Sequence, residues 1–170
     1  MRKLLAVALL GALGVLGTAS SAVADKPGPW SDLDTGSFTA AAGTRCSFTL
    51  RGDVVSDHEQ IRTLETYPDG SPKTQEVVGQ LVVRYTNLDT GASVERNLTG
   101  TGIVEYGTDG TFVLRLQGGH MAVGLAPGDT DGPGFLIFTG AGHEVLFEAD
   151  GSRHVTYGSG PVEDICETLA

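Results

Sequence analysis

From Cys46 to the C-terminus, apolar and polar residues alternate in short runs, the period of a strand with one buried face. Cys46, Phe48 and Leu50 alternate with Ser47, Thr49 and Arg51. Ile61, Thr63, Glu65 and Tyr67 share a face opposite Arg62, Leu64 and Thr66, and Leu81, Val83 and Tyr85 share a face within 79–86. Val94, Arg96 and Leu98 oppose Ser93, Glu95, Asn97 and Thr99. Further strands are predicted at 103–106, 111–117, 120–125, 135–139, 143–149 and 153–157. Turn chemistry separates them: Tyr67-Pro68-Asp69-Gly70, Asn87 to Gly91, Gly107-Thr108-Asp109-Gly110 and Ala149-Asp150-Gly151. There proline presets one dihedral and glycine accepts a positive one, and Asp-Gly favours a tight hairpin.

Strands at this spacing, with no long amphipathic helix between them, predict an all-β, single-domain antiparallel meander. A β-barrel is favoured over a β-sandwich, because an open meander leaves two exposed edges. Leu81-Val82-Val83, Phe135 to Phe138 and Val145-Leu146-Phe147 are apolar without alternation. These segments call for cover on both faces, from a second sheet, from the N-terminal arm or from another subunit.

The N-terminus follows a different rule. Arg2 and Lys3 precede an apolar stretch from Leu4 to Leu16, and Ala22-Val23-Ala24 stands before Asp25. Positive charge, apolar segment and small-residue site in that order predict a cleaved secretory signal peptide over residues 1–24, hence a secreted protein. Asp25 to Thr44, with Lys26-Pro27-Gly28-Pro29, reads as an extended and loosely docked arm, with Trp30 available to anchor it. Residues 45–170 form the domain. Loss of the leader takes 24 of 170 residues and two of the 11 Lys and Arg, leaving 9 against 21 Asp and Glu, a formal charge of −12. Such a surface repels phosphate backbones and anionic lipid, so nucleic acid is excluded as a partner and membrane insertion is not expected. Cys46 and Cys166 form an even pair in an exported chain and are assigned to one disulfide.

Candidate chemistry is sparse. Asp-Thr-Gly occurs at Asp34-Thr35-Gly36 and at Asp89-Thr90-Gly91. It resembles the aspartic-protease signature, but Asp34 falls in the arm and Asp89 at a hairpin tip, where the tripeptide is ordinary turn chemistry. Gly128-Asp129-Thr130-Asp131-Gly132 has too few carboxylates for calcium and lacks a closing glutamate. His58, His120, His143 and His154 have no metal-ligand spacing, so no metal and no cofactor is assigned. Alternation places three polar groups on apolar faces: Glu65, Arg96 and His143. An inward arginine must find a carboxylate, for which Glu65 is a candidate, or a bulge must turn it outward. His143 is expected to be a hydrogen-bonded histidine at a strand end. Together the three are the candidate pocket residues, and no catalytic set is assigned.

The Ala-rich leader, the single cysteine pair and the Asp-Gly hairpins resemble the small secreted β-proteins of actinobacteria, a compositional likeness that implies no activity. The expected function is non-enzymatic binding of a small apolar ligand or a protein partner. The alternatives are a barrel-type lyase or cyclase using His143, Arg96 and Glu65 for acid–base work, and an envelope-associated structural protein with no pocket.

Overall fold

The structure, a computed structural model, describes residues 26–170. The predicted leader therefore lies outside the described residues. Strands β1 (Ser31–Asp32) and β2 (Phe38–Ala40) belong to the arm. They are followed by β3 (Leu50–Asp57), β4 (Gln60–Thr66), β5 (Pro72–Gly79), β6 (Leu81–Asn87), β7 (Ser93–Asn97) and β8 (Gly100–Tyr106). The chain continues through β9 (Phe112–Leu125), β10 (Gly134–Thr139), β11 (Glu144–Phe147), β12 (Arg153–Thr156) and β13 (Val162–Asp164), and closes on the helical turn α1 (Ile165–Thr168). Every strand pairing is antiparallel. The all-β meander is as the alternation predicts. No described helix is long and apolar enough to cross a membrane.

Many consecutive strands are halves of one longer strand. Only His58 and Glu59 separate β3 from β4, only Gln80 separates β5 from β6, and only Leu98 and Thr99 separate β7 from β8. At these points the chain leaves one sheet and enters the other. A nine-stranded sheet runs β1-β4-β5-β8-β9-β10-β13, with β11 and β12 attached through β9, and a four-stranded sheet runs β2-β3-β6-β7. The bends align into a seam, because His58 N donates to Gln80 O at 2.8 Å, His120 N to Thr99 O at 3.0 Å and Gly140 N to Gly119 O at 3.0 Å.

Glycine makes the seam possible. A Cβ on Gly79, Gly100, Gly119, Gly140 or Gly160 would run into the carbonyl oxygen of His58, His120, Thr99, Ser159 or Thr139 respectively. At Gly79 and Gly119 the backbone also takes φ of 143° and 82°, values that a side chain strains. The two halves of β9 then diverge: residues 112–115 pair with β11, and residues 120–125 pair with β10.

Neither sheet closes on itself, so the barrel expected from the sequence is not formed. The far half of β9 takes β10 as its partner and leaves β7 at a sheet edge. Side chains bridge that gap, with Arg96 donating Nε and Nη2 to the Glu163 carboxylate of β13 at 2.7 and 2.6 Å. On the opposite side the edges are blunted by the very short strands β1, on β4, and β2, on β3, a common protection against edge-to-edge pairing.

The unalternating segment in β10 finds its two partners within the chain. Phe135 and Ile137 enter one core with Leu50, Leu81, Val83, Tyr85, Ile165 and Leu169. Leu136 and Phe138 enter a second with Leu116, Met121, Val123, Leu125 and Val145. Some boundaries differ from the alternation. The first domain strand begins at Leu50, although Cys46 and Phe48 are buried ahead of it. The strand β5 was not predicted, because Lys73-Thr74-Gln75-Glu76 carries no apolar alternation. It forms because β4 and β8 hydrogen-bond to both its edges.

The arm is fixed more firmly than its composition suggests: Gly28 N donates to Thr63 O at 2.7 Å and Leu33 N to Glu59 O at 2.9 Å. Trp30 is exposed, with the Arg62 guanidinium 4.4 Å from the centre of its ring. The Cys46–Cys166 disulfide is present and spans 120 residues. It holds α1 beside the start of β3, where Asn87 Nδ2 also donates to Leu169 O at 2.9 Å.

Two outcomes follow for stability. Gly79→Ala should cost on the order of 1–3 kcal/mol for backbone strain, plus displacement of the His58 carbonyl. Gly70→Ala, at a turn of φ 86° with no neighbour in reach, carries only the strain, so urea melts should rank Gly79→Ala as the more damaging. A Cys46→Ala/Cys166→Ala double variant should lose about 2–5 kcal/mol in the same assay, the upper figure being the chain entropy of so long a loop.

Candidate functional site

Bending each strand over the seam leaves space inside the bend. A cavity of about 500 Å³ lies there, within the size range of small-molecule sites. Ile61, Val77, Val104, Leu114 and Leu116 line it from the nine-stranded sheet, and Val54, Leu81, Val83 and Tyr85 from the four-stranded one. Leu33, Thr35 and Phe38 of the arm complete the wall. Short valines and Gly52, Gly100 and Gly102 also stand on its wall. Gly52 has a further use, since a Cβ there would strike the Phe38 ring that lies over it.

Few polar groups reach this space. Glu59, at the first bend, accepts from Thr35 Oγ1 at 2.7 Å through Oε2. Asp57 fixes the pair by accepting from Thr35 N at 2.8 Å and Glu59 N at 2.9 Å. Burial raises the Glu59 pKa above the ordinary glutamate value and the Asp57 charge adds to this, against the opposing hydrogen bond from Thr35. His120 lies further along the seam, with Nδ1 3.0 Å from Thr139 Oγ1. At the far end Tyr106 donates its hydroxyl to Gln75 Oε1 at 2.8 Å. Burial raises the phenol pKa of both Tyr106 and Tyr85, so both remain neutral donors. The arrangement suits an apolar body with few directional contacts.

The candidate residues Glu65, Arg96 and His143 are not brought together, and none lines this cavity. The register of β4 against β5 slips between Thr63 and Glu65. That bulge at Leu64 breaks the alternation and turns Glu65 to the surface, where it pairs with Lys73 at 2.8 Å. Arg96 keeps its place on the Val94 face, with Val83 opposite it, and its carboxylate partner is Glu163 instead of Glu65. His143 is fully buried behind β10, tilted against Phe138 with ring centroids 4.9 Å apart. Its Nδ1 accepts from Gly158 N at 3.1 Å and its Nε2 lies 3.3 Å from Thr139 O, the hydrogen-bonded strand-end histidine that its position implied.

The other motifs are absorbed by local structure. Asp89 N and Thr90 N donate to Asn87 Oδ1 at 2.9 and 3.3 Å, a hairpin turn, while Thr35 of the first Asp-Thr-Gly belongs to the cavity wall. Asp129 accepts from Ala126 N at 2.6 Å and Arg153 N at 3.0 Å, and Asp131 accepts from the Tyr157 hydroxyl at 3.0 Å. Glu59 is hidden in the sequence because Ser56-Asp57-His58-Glu59 has the composition of a solvated turn. The short spacing between two flanking strands was the available sign that it is a bend within one strand. Comparison with protein-family models, curated proteins and solved structures returns no match for this chain.

Because the Glu59 pKa is raised, the folded state holds this proton more tightly than the unfolded chain, and stability falls as pH rises from the ordinary glutamate value through the raised one. Glu59→Gln removes that contribution. Denaturation series from pH 4 to 7 should show wild type losing stability relative to Glu59→Gln as pH increases, and the opposite slope would refute the assignment.

Proposed function

We propose that this chain is a secreted, non-enzymatic binding protein that holds a small apolar ligand between its two sheets. The observation that carries this reading is the cavity of about 500 Å³ between the two sheets, walled mainly by aliphatic and aromatic side chains. A stable protein fills such a volume unless it is used, because unfilled apolar space forfeits packing contacts. The predicted leader and the disulfide support an extracellular setting. An acid–base enzyme built on His143, Arg96 and Glu65 would need them at one site, whereas each is satisfied by a separate partner. A pocket-free structural role finds no support in a core with this opening.

The test is fluorescence titration with N-phenyl-1-naphthylamine, a neutral apolar probe. Wild type should bind it saturably at one site with a dissociation constant in the micromolar range. Val77→Phe and Val104→Phe, each adding volume inside the cavity, should weaken binding at least tenfold while circular dichroism and melting temperature stay near wild type. Absence of saturable binding to wild type, or unchanged binding to both folded variants, would overturn the reading.

A further inference from the structure

A second hollow, of about 740 Å³, adjoins the first and shares Phe38, Leu114, Ala122 and Phe135 with it. The partition between them is the stacked pair Phe38 and Phe135, with centroids 5.3 Å apart and planes inclined by 13°. Phe38 is carried by β2, a three-residue strand paired only to β3, so this wall is held by few bonds. The charged side chains lining the second hollow are two arginines, Arg45 and Arg153. They converge over Gly124: Arg153 Nη1 donates to Gly124 O at 2.7 Å, and a Cβ on Gly124 would press on Arg45 Nε.

Charge near this point is not balanced. Among the described residues Asp129 is the one carboxylate in contact, 3.4 Å from Arg153 Nη1, and backbone amides already occupy both its oxygens. Arg153 Nε is buried without a hydrogen-bond partner among the described residues. Arg45 donates to the Thr44 carbonyl at 3.3 Å, and among the described residues forms no ion pair. Burial, and after it the neighbouring Arg153 charge, weaken the hold of Arg45 on its proton, against the opposing Asp129 charge. Two guanidinium groups facing one carboxylate, on a chain of formal charge −10, make a locally positive spot in the hollow on the far side of the Phe38–Phe135 partition.

We propose that the ligand is an amphiphile with a single carboxylate, its apolar body in the cavity between the sheets and its carboxylate on Arg45 and Arg153. This rests on the binding function proposed above and names the ligand class. The arginine fork offers paired N–H donors that match a carboxylate, and the unpartnered Nε supplies a buried one. The body reaches the cavity past the Phe38 ring.

The experiment compares dodecanoate with 1-dodecanol, equal in chain length, by titration calorimetry on the disulfide-bonded protein. Wild type should bind dodecanoate about tenfold or more tightly than the alcohol, with the advantage shrinking as salt rises. Arg45→Gln should remove most of that advantage and leave dodecanol affinity unchanged. Arg45 suits the test because it holds no other element in place. Equal affinity of wild type for both compounds, or an Arg45→Gln variant that weakens both alike or neither, would overturn the carboxylate assignment and leave the cavity reading intact. Failure of wild type to bind either compound would overturn both.

Discussion

The fold depends on backbone passing close to backbone along one line. Where strands fold over the seam, carbonyl oxygens of one strand occupy the space in which the next strand's Cβ atoms would stand. Only glycine tolerates this, and Gly79, Gly100, Gly119, Gly140 and Gly160 supply it, Gly79 packing on the His58–Glu59 bend that has none of its own. The sharp bend converts a flat meander into two opposed surfaces without a long connecting loop. Hydrophobic burial then does the rest: the inner faces of β3 and β6 meet β10, and the outer face of β10 meets β9 and β11.

The same bend creates the cavity. A flat sheet has no inside, and a tightly closed one of this size would be filled by its own side chains. Here the four-stranded sheet and the far half of β9 part at β7, and Leu33, Thr35 and Phe38 of the arm complete the cavity wall. The disulfide and the Arg96–Glu163 pair hold the final segment to β7 and to the beginning of β3. The two sheets are thus tied covalently and ionically at places where no strand pairing exists.

Much of this architecture is legible in the residues. The inward faces of β6 and β7, the Asp-Gly hairpins, the cysteine pair and the double burial of Phe135 to Phe138 all follow from local pattern. Closure does not. Whether a meander becomes a barrel depends on which neighbour the far half of β9 selects, and alternation is silent on partners. The glycines at the seam were visible, yet singly each resembles a turn residue, and their meaning lies in the alignment across strands. The site was less accessible for the same reason. One bulge at Leu64 inverted Glu65, while Glu59, in a segment of turn-like composition, proved to face inward. Polar groups near bends lose the periodicity by which inside is told from outside.

Trp30 is the chain's single tryptophan, and it belongs to the arm, not to the domain that the arm covers. Its indole rests on Arg62 of β4, partly open to water. The molecule therefore carries a built-in optical label at its least extensively paired segment. Emission from that one chromophore reports departure of the strap separately from melting of the sheets beneath it, and so distinguishes an opened binding protein from an unfolded one.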